Sequence, residues 1–211
     1  LPVETGSVKW RAETRGSTVV LLMDPQAAVK NWAGQFGIIF THELLHLWIP
    51  NALRLQGDYD WFFEGFTLYT ALVTALELKL INFDEYVATL TRVYDSYLSR
   101  ADGLSLLDAS ERRWTSGNAT VYDKGMLVAF LYDLAIRRDS GGKTRLGSMY
   151  KKLLAIGATQ PGNANEVIIQ LLSSTAAGAD LAKRYIEGRQ ELDIKQILAD
   201  RKQLSKSLGY R

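Results

Sequence analysis

Residues 29–50 read VKNWAGQFGIIFTHELLHLWIP, and this stretch decides the fold because it predicts a long helix. The helix is expected to begin after Asp24 and Pro25 and to end at Pro50, since proline is tolerated at a helix start and breaks a helix interior. Its apolar residues recur at helical spacing around most of its surface, so we expect the helix to be buried. The apolar residues concerned are Val29, Trp32, Phe36, Ile39, Phe40, Leu44 and Leu47.

The rest of the chain continues this mainly helical pattern. Residues 8–23 predict two strands with a turn at Gly16. Further amphipathic helices are predicted at residues 60–79, 83–100, 117–138, 144–156, 163–173, 179–188 and 193–204. No repeat or linker divides the chain, so the expected fold class is mainly α (α+β) in a single domain, residues 1–211. It would comprise a β edge at residues 1–24, a helix pair at residues 25–80 and a helical lobe at residues 81–211.

The composition limits the classes of function. The 211 residues are 47% hydrophobic and 23% charged, as in ordinary globular proteins. A formal net charge of +2 without a basic stripe argues against nucleic-acid binding. The absence of cysteine leaves His, Asp and Glu as the strong metal ligands.

No apolar run reaches the roughly 18 residues of a membrane span, so we expect the chain to be soluble. The sequence does not indicate its compartment or its oligomeric state. The start at Leu1 rather than Met suggests a domain excised from a longer protein.

Residues 41–46, THELLH, contain the motif H-E-x-x-H inside the predicted helix. Because residues four apart lie on one helical face, His42 and His46 can converge on one metal ion at about 2.0–2.1 Å. Glu43 is turned by about 100° from His42, where it can flank a metal without ligating it and deprotonate a water molecule. The motif alone is a moderate signal, since a buried helix can carry two histidines without any metal.

A third metal ligand is available in Glu64, 18 positions after His46 in the segment WFFEGF. Glu64 is predicted to begin a helix that returns antiparallel to the first, completing the His₂Glu set of a catalytic zinc with one open position. Gly65 would let the two helices approach closely. The nearby rivals as third ligand are Asp58, Asp60 and Glu77. The metal site is favoured because both histidines of the chain lie in the motif, where they would be costly to bury without partners.

These residues resemble the gluzincin metallopeptidases, in which H-E-x-x-H is followed by a glutamate on the next helix. The segments HLW at 46–48 and WFFEGF at 61–66 are similar to both the aminopeptidase N family and the bacterial glycyl aminopeptidase family. Later segments favour the glycyl aminopeptidases, namely SLLDAS at 105–110, Trp114, YDKGMLVA at 122–129 and LAKRYIEG at 181–188. The resemblance spans most of the chain.

The resemblance implies a thermolysin-like catalytic domain, one zinc ion per chain and two further site residues. It gives Tyr122 the role of donating a hydrogen bond to the oxyanion that forms during peptide hydrolysis. It gives Glu13 the role of binding the free amine of the substrate. Bulky Trp10 and Arg11 stand near the positions where these families have glycines, and the connection before Glu64 is shorter than in aminopeptidase N relatives. Specificity for the N-terminal residue of a peptide therefore stays open.

The sequence predicts zinc-dependent hydrolysis of peptide bonds, aminopeptidase-like in character, on a peptide substrate. Glu43 would act as general base and then deliver the proton to the leaving amine. The alternative is a zinc-bearing peptide-binding module without catalysis. Two less favoured hypotheses remain. One is a helical interaction domain in which H-E-x-x-H occurs by chance, and the other is a hydrolase of esters or epoxides on the same scaffold.

Overall fold

The structure is a computed structural model that describes residues 11–22, 32–100 and 102–210. It is mainly helical, as predicted. The strands are β1 (Arg11–Arg15), β2 (Thr18–Leu22), β3 (Leu55–Gln56) and β4 (Gly162–Asn163). The α-helices are α1 (Trp32–His46), α2 (Thr67–Glu77), α3 (Phe83–Ser99), α4 (Leu106–Glu111), α5 (Asn118–Asp139), α6 (Leu146–Gly157), α7 (Ala164–Leu172), α8 (Ala176–Leu181), α9 (Lys195–Ala199) and α10 (Arg201–Leu208). Short π-helical segments occur at Trp61–Phe66, Arg113–Gly117 and Ala182–Glu187.

The predicted β element is an antiparallel hairpin of β1 and β2, in which Arg11 lies opposite Leu22 and Arg15 opposite Thr18. Gly16 has a φ of 58° and turns the chain at the predicted position, where a residue without a side chain is favoured. Successive side chains of a strand point to opposite faces. One face of β1 lies against α1, so the hairpin reaches the end of the helix that carries H-E-x-x-H.

Helix α1 is shorter at its C-terminal end and less buried than the sequence predicts. The expected helix start at Asp24 and Pro25 lies outside the described residues. The α-helix ends at His46, and hydrogen-bonded turns carry the chain on through Pro50. Ile39 is buried, whereas the side chains that are only partly buried are Phe36, Phe40, Leu44 and Leu47. The elements of the described chain that contact α1 most are α2 and the hairpin, which cover only part of its surface. Val29 and the side chain of Trp32 are outside the described part.

Helices α1 and α2 form the predicted antiparallel pair. The start of α1 meets the residues that follow α2, because a Cβ atom on Gly34 would lie only 2.6 Å from the Cγ2 of Ile81. The opposite ends also meet, since His42 contacts Thr67, the first residue of α2. The segment Trp61–Phe66 leads directly into α2, so the two together correspond to the second predicted helix.

Gly65 makes a close helix approach possible, but toward α5 rather than α1. A Cβ atom on Gly65 would lie 2.5 Å from the Cα of Gly125, and one on Gly125 would lie 2.8 Å from the carbonyl oxygen of Trp61. The expectation that Gly65 lets the two metal-binding helices approach is therefore wrong. The contact instead sets the Trp61–Phe66 segment against α5, about one turn from Tyr122.

Helix α5 is the most buried of the longer helices in the described residues. The helices predicted at residues 83–100, 117–138, 144–156 and 163–173 correspond to α3, α5, α6 and α7. The helix predicted at 179–188 is α8 with the π-helical segment after it, and the one at 193–204 is α9 and α10, separated at Asp200. Helix α4 and the parallel β3–β4 pair are too short for a periodic pattern to predict. Across the described ranges, no helix is both long and apolar enough to cross a membrane.

Candidate metal centre

The three predicted metal ligands lie together where the end of α1 meets the Trp61–Phe66 segment. His42 Nε2 and His46 Nε2 are 3.2 Å apart, and Glu64 Oε2 lies 3.2 Å from the former and 3.4 Å from the latter. The three side chains are 4%, 11% and 8% exposed, so water has little access to them. Within the described part of the chain, these residues form the group that could hold a metal ion.

Hydrogen bonds on the far sides of both imidazole rings determine which nitrogens face the centre. His46 Nδ1 lies 2.9 Å from the carbonyl oxygen of Ile49, which can only accept, so this nitrogen carries the hydrogen. His42 Nδ1 lies 3.1 Å from the hydroxyl of Thr67, which itself donates to a backbone carbonyl one turn earlier. In the neutral imidazoles, both Nε2 atoms therefore present lone pairs to the centre, as zinc-bound histidines do.

The donor atoms fit a metal ion in chemistry and in spacing. Two nitrogen lone pairs and a carboxylate oxygen at these distances repel one another unless a cation or a proton lies between them. Tetrahedral coordination with bonds of about 2.0–2.1 Å separates the ligand atoms by about 3.3–3.4 Å. The observed separations of 3.2, 3.2 and 3.4 Å come close to that spacing. His42, His46 and Glu64 can therefore hold one metal ion, and two imidazoles suit a transition metal better than magnesium or calcium.

Burial and mutual contact set the protonation of the ligand groups. Burial lowers the pKa of His42, and the hydrogen bond with Glu64 does not offset this effect. Burial alone would raise the pKa of Glu64, but the hydrogen bonds that both histidines donate when their Nε2 atoms are protonated outweigh it and hold that pKa far below its usual range. Burial also disfavours the charged form of His46, yet Glu64 raises its pKa above the ordinary value. An ionised Glu64 and a neutral His42 are the forms that can ligate a metal.

Glu43 lies beside the ligands and is held by the hairpin. Its side chain is largely buried, and the hydroxyl of Thr14 lies 2.7 Å from its Oε2 and 2.8 Å from its backbone oxygen. The charge of Glu43 is among the smaller influences that raise the pKa of His42 and His46. It is not one of the grouped ligand atoms. Glu43 therefore directly follows His42 in the chain without belonging to the ligand group, and its role in proton transfer stays a prediction.

Tyr122 projects from α5 toward the carboxylate of Glu64. Burial, followed by the negative charge of Glu64, raises the pKa of Tyr122 far above its ordinary value, so the phenol is a neutral hydrogen-bond donor at pH 7. Its oxygen accepts a hydrogen bond of 3.1 Å from Nη2 of Arg113. The same guanidinium donates to Glu64 Oε1 at 2.6 Å and pairs with Asp60. The structure thus brings Tyr122 next to one of the predicted metal ligands.

Glu13 is placed apart from the other predicted site residues. Its side chain is 54% exposed and forms an ion pair of 2.8 Å with Arg15. Thr14 points toward Glu43, and successive strand residues face opposite sides, so Glu13 points away from the centre. Among the described residues, no hydrogen bond or ion pair joins Glu13 to a residue of the metal group.

Three residues whose side chains form hydrogen bonds with the predicted site residues are not identified by the sequence. They are Thr14, Thr67 and Arg113. Thr67 follows Glu64 by three positions, so helical spacing could have indicated that both face α1. Asp60 is a rival metal ligand on sequence grounds, but its carboxylate binds Arg113 instead. Thr14 and Arg113 reach the site from distant parts of the chain, and no local pattern signals such a contact.

Comparisons with known proteins do not assign the chain to a family. No protein-family description matches it, and no curated protein matches it. The functional assignment therefore depends on the residues of the site and on their geometry.

Proposed function

We propose that this chain is a zinc-dependent peptidase of the gluzincin type, with one zinc ion held by His42, His46 and Glu64. The observation that carries the proposal is the buried triangle of donor atoms, 3.2–3.4 Å on a side, with the carboxylate of Glu43 beside it. Catalytic zinc sites have three protein ligands of these types and keep a fourth position open. Structural zinc sites are closed by four protein ligands, and the described group has three.

The chain's own residues supply the proton transfers and the charge stabilisation. Zinc, when bound, contributes a Lewis acid that polarises the peptide carbonyl and makes water easier to deprotonate. Glu43 accepts a proton from the attacking water as the water oxygen bonds to the carbonyl carbon. It then passes that proton to the leaving nitrogen as the C–N bond breaks, and the second proton of the water follows, so the products are a carboxylate and a protonated amine. Tyr122 donates its hydroxyl hydrogen to the carbonyl oxygen as negative charge develops there.

The order of the elements supports a thermolysin-like fold for this peptidase. A β hairpin precedes a helix with H-E-x-x-H, a second helix with Glu64 and a set of further helices that includes Tyr122. We extend the proposal to the glycyl aminopeptidase family on the sequence segments around Glu64, Tyr122 and Tyr185. Because Glu13 points away from the centre, the proposed activity is peptide hydrolysis without an amine anchor at that position.

Hydrolysis of a panel of peptides by the purified chain and by Glu43→Gln tests the proposed function. Glu43→Gln is expected to keep its zinc and to lose about 10²–10⁴-fold in kcat, the usual cost of losing a general base. Glu111→Gln removes an exposed carboxylate at the end of α4 and should change neither property. A chain that binds zinc but cleaves no peptide would instead be a peptide-binding module. Cleavage that Glu43→Gln does not slow would contradict the role of Glu43.

A further inference from the structure

Arg113 is a cation in an almost enclosed position beside the metal group. It begins the π-helical segment before α5, and its side chain is 11% exposed. Its guanidinium carbon lies 5.6 Å from the ring centre of Phe63, 4.9 Å from that of Trp114 and 5.7 Å from that of Tyr122. Aromatic faces at such distances stabilise a guanidinium and restrict where it can move. The position is therefore built to hold an arginine in one orientation.

The nitrogens of this guanidinium bind three oxygen atoms of the centre. Nη1 pairs with the carboxylate of Asp60. Nη2 donates to Glu64 Oε1 at 2.6 Å and to the hydroxyl oxygen of Tyr122 at 3.1 Å. Asp60 offsets the positive charge, so Arg113 can serve as a donor to Glu64 without adding a full uncompensated cation next to a metal site.

Because Arg113 contacts Glu64, the two oxygens of this carboxylate have different partners. Oε1 accepts from Arg113, whereas Oε2 lies 3.2 Å and 3.4 Å from the two imidazole nitrogens. A carboxylate with one oxygen engaged in this way presents only the other oxygen to a metal ion. Hydrogen-bond partners of this kind orient metal ligands, and their loss commonly weakens metal binding by about 10–100-fold.

The contact with Tyr122 determines the direction of its hydrogen bond. A guanidinium only donates, so the Tyr122 oxygen must be the acceptor of the bond from Arg113. The hydroxyl hydrogen of Tyr122 then has to point away from Arg113, and Glu64 is a neighbouring acceptor. One arginine thereby orients both the third ligand and the group that donates to the reacting carbonyl.

We propose that Arg113 is a positioning residue that couples the metal ligand Glu64 to the hydrogen-bond donor Tyr122. This role rests on the proposed zinc peptidase function. In the described chain, Arg113 forms hydrogen bonds with Asp60, Glu64 and Tyr122, and none of its hydrogen bonds goes to the imidazole ligands or to Glu43. Arg113→Met should therefore impair zinc binding and the catalytic step together, through two different neighbours.

The first measurement is the zinc dissociation constant, obtained by competition with a chromophoric chelator. Arg113→Met is expected to bind zinc about 10–100-fold more weakly than the unmodified chain. Arg113→Lys keeps the charge but loses the forked donor, so its affinity should be intermediate. Arg112→Met changes the adjacent exposed arginine and is the matched control, with unchanged affinity expected. Should Arg113→Met fail to fold by circular dichroism, Arg113→Lys carries the comparison.

The second measurement is a double-mutant cycle with Tyr122→Phe under saturating zinc. Arg113→Met should lower kcat more than it changes KM, and it should have a much smaller effect on kcat when Tyr122 is already phenylalanine. Independent losses that simply multiply would indicate a structural role and overturn the proposal. Zinc affinity unchanged by Arg113→Met would also overturn it. If the unmodified chain binds no zinc, the proposed function is wrong, and the proposed role of Arg113 is wrong with it. If the unmodified chain binds zinc and the Arg113 variants bind it equally well, only the role of Arg113 is wrong.

Discussion

The backbones of Gly65 and Gly125 touch, so that a Cβ atom on Gly65 would lie 2.5 Å from the Cα of Gly125. Gly65 directly follows Glu64, and Gly125 lies three positions after Tyr122 on α5. The contact therefore brings the third predicted metal ligand next to the predicted oxyanion donor. A side chain at either glycine would force apart the two segments that carry these groups.

Gly125→Ala is expected to destabilise the protein by about 1–3 kcal/mol, because overpacked positions cost this much. The added methyl group would meet backbone atoms of Trp61 and Gly65, which cannot swing aside as a flexible side chain can. Gly147→Ala is the matched control, since a Cβ at this position in α6 meets no atom within 4 Å. Urea unfolding should show a loss for Gly125→Ala and no loss for Gly147→Ala. Equal stability of both variants would contradict the close contact.

Thr14→Val is expected to lower kcat without weakening zinc binding. The valine keeps the shape of the side chain but removes the donor that lies 2.7 Å from the carboxylate of Glu43. A hydrogen bond to a charged group contributes about 1.5–3 kcal/mol, so a loss of roughly tenfold or more in kcat is expected. Thr14→Ser should retain most activity. Thr18→Val, at an exposed position of β2, is the control, and a Thr14→Val variant with the same kcat as this control would show that Glu43 needs no support from the hairpin.

Glu13→Gln is expected to leave the rates for peptides with free and with blocked N-termini unchanged. The carboxylate is 54% exposed and paired with Arg15, on the side of β1 away from Glu43. The measurement compares kcat/KM for a free peptide with that for its N-acetylated form, before and after the substitution. A selective loss for the free peptide would mean that Glu13 binds the substrate amine after all.

Lys124 is expected to make stability rise with pH between about 8 and about 10.5. Burial lowers its pKa to about 8 in the folded protein, whereas an unfolded chain has an ordinary lysine pKa. Between these values the unfolded state binds the extra proton, so raising the pH favours folding. Below pH 8, Lys124 is protonated in both the folded and the unfolded state, so the folded protein bears the full free-energy cost of burying its charge.

Unfolding experiments on Lys124→Met and on the unmodified chain isolate this effect, because other titrating groups cancel in the comparison. The unmodified chain should gain about 1–3 kcal/mol relative to Lys124→Met as the pH rises through that range. Lys152→Met, at an exposed position of α6, should show no such pH dependence. A stability difference between Lys124→Met and the unmodified chain that stays constant from pH 7 to 10.5 would contradict the burial of a charged lysine.

Much of the fold follows from periodic patterns in the sequence. The helices α3, α5, α6 and α7 correspond closely to their predicted ranges, because each is long enough to show a repeating apolar face. The break at Asp200 between α9 and α10 is not predicted, since no proline or glycine marks it. The partial exposure of Phe36 and Phe40 also departs from the prediction, because the apolar pattern of α1 does not reveal how many neighbours cover it.

The sequence likewise predicts one part of the candidate site and not the other. Helical spacing brings together His42 and His46, and the sequence correctly indicates that Glu64 joins them. The contacts of Arg113 and Thr14 depend on tertiary structure, because each joins segments far apart in the chain. Short π-helical segments such as Arg113–Gly117 have no strong periodic signal of their own.

Zinc content is the most direct test of the claim that His42, His46 and Glu64 form one metal centre. The purified chain, stripped with a chelator, then supplied with excess zinc and dialysed to remove the unbound ion, should contain one zinc ion per chain by elemental analysis. Binding should also raise the unfolding temperature, because a ligand that binds only the folded state stabilises it. Glu64→Gln and His46→Gln should bind zinc far more weakly, whereas Glu77→Gln should match the unmodified chain. Less than stoichiometric zinc after supplementation, or equal affinity in the Glu64→Gln variant, would contradict the metal centre.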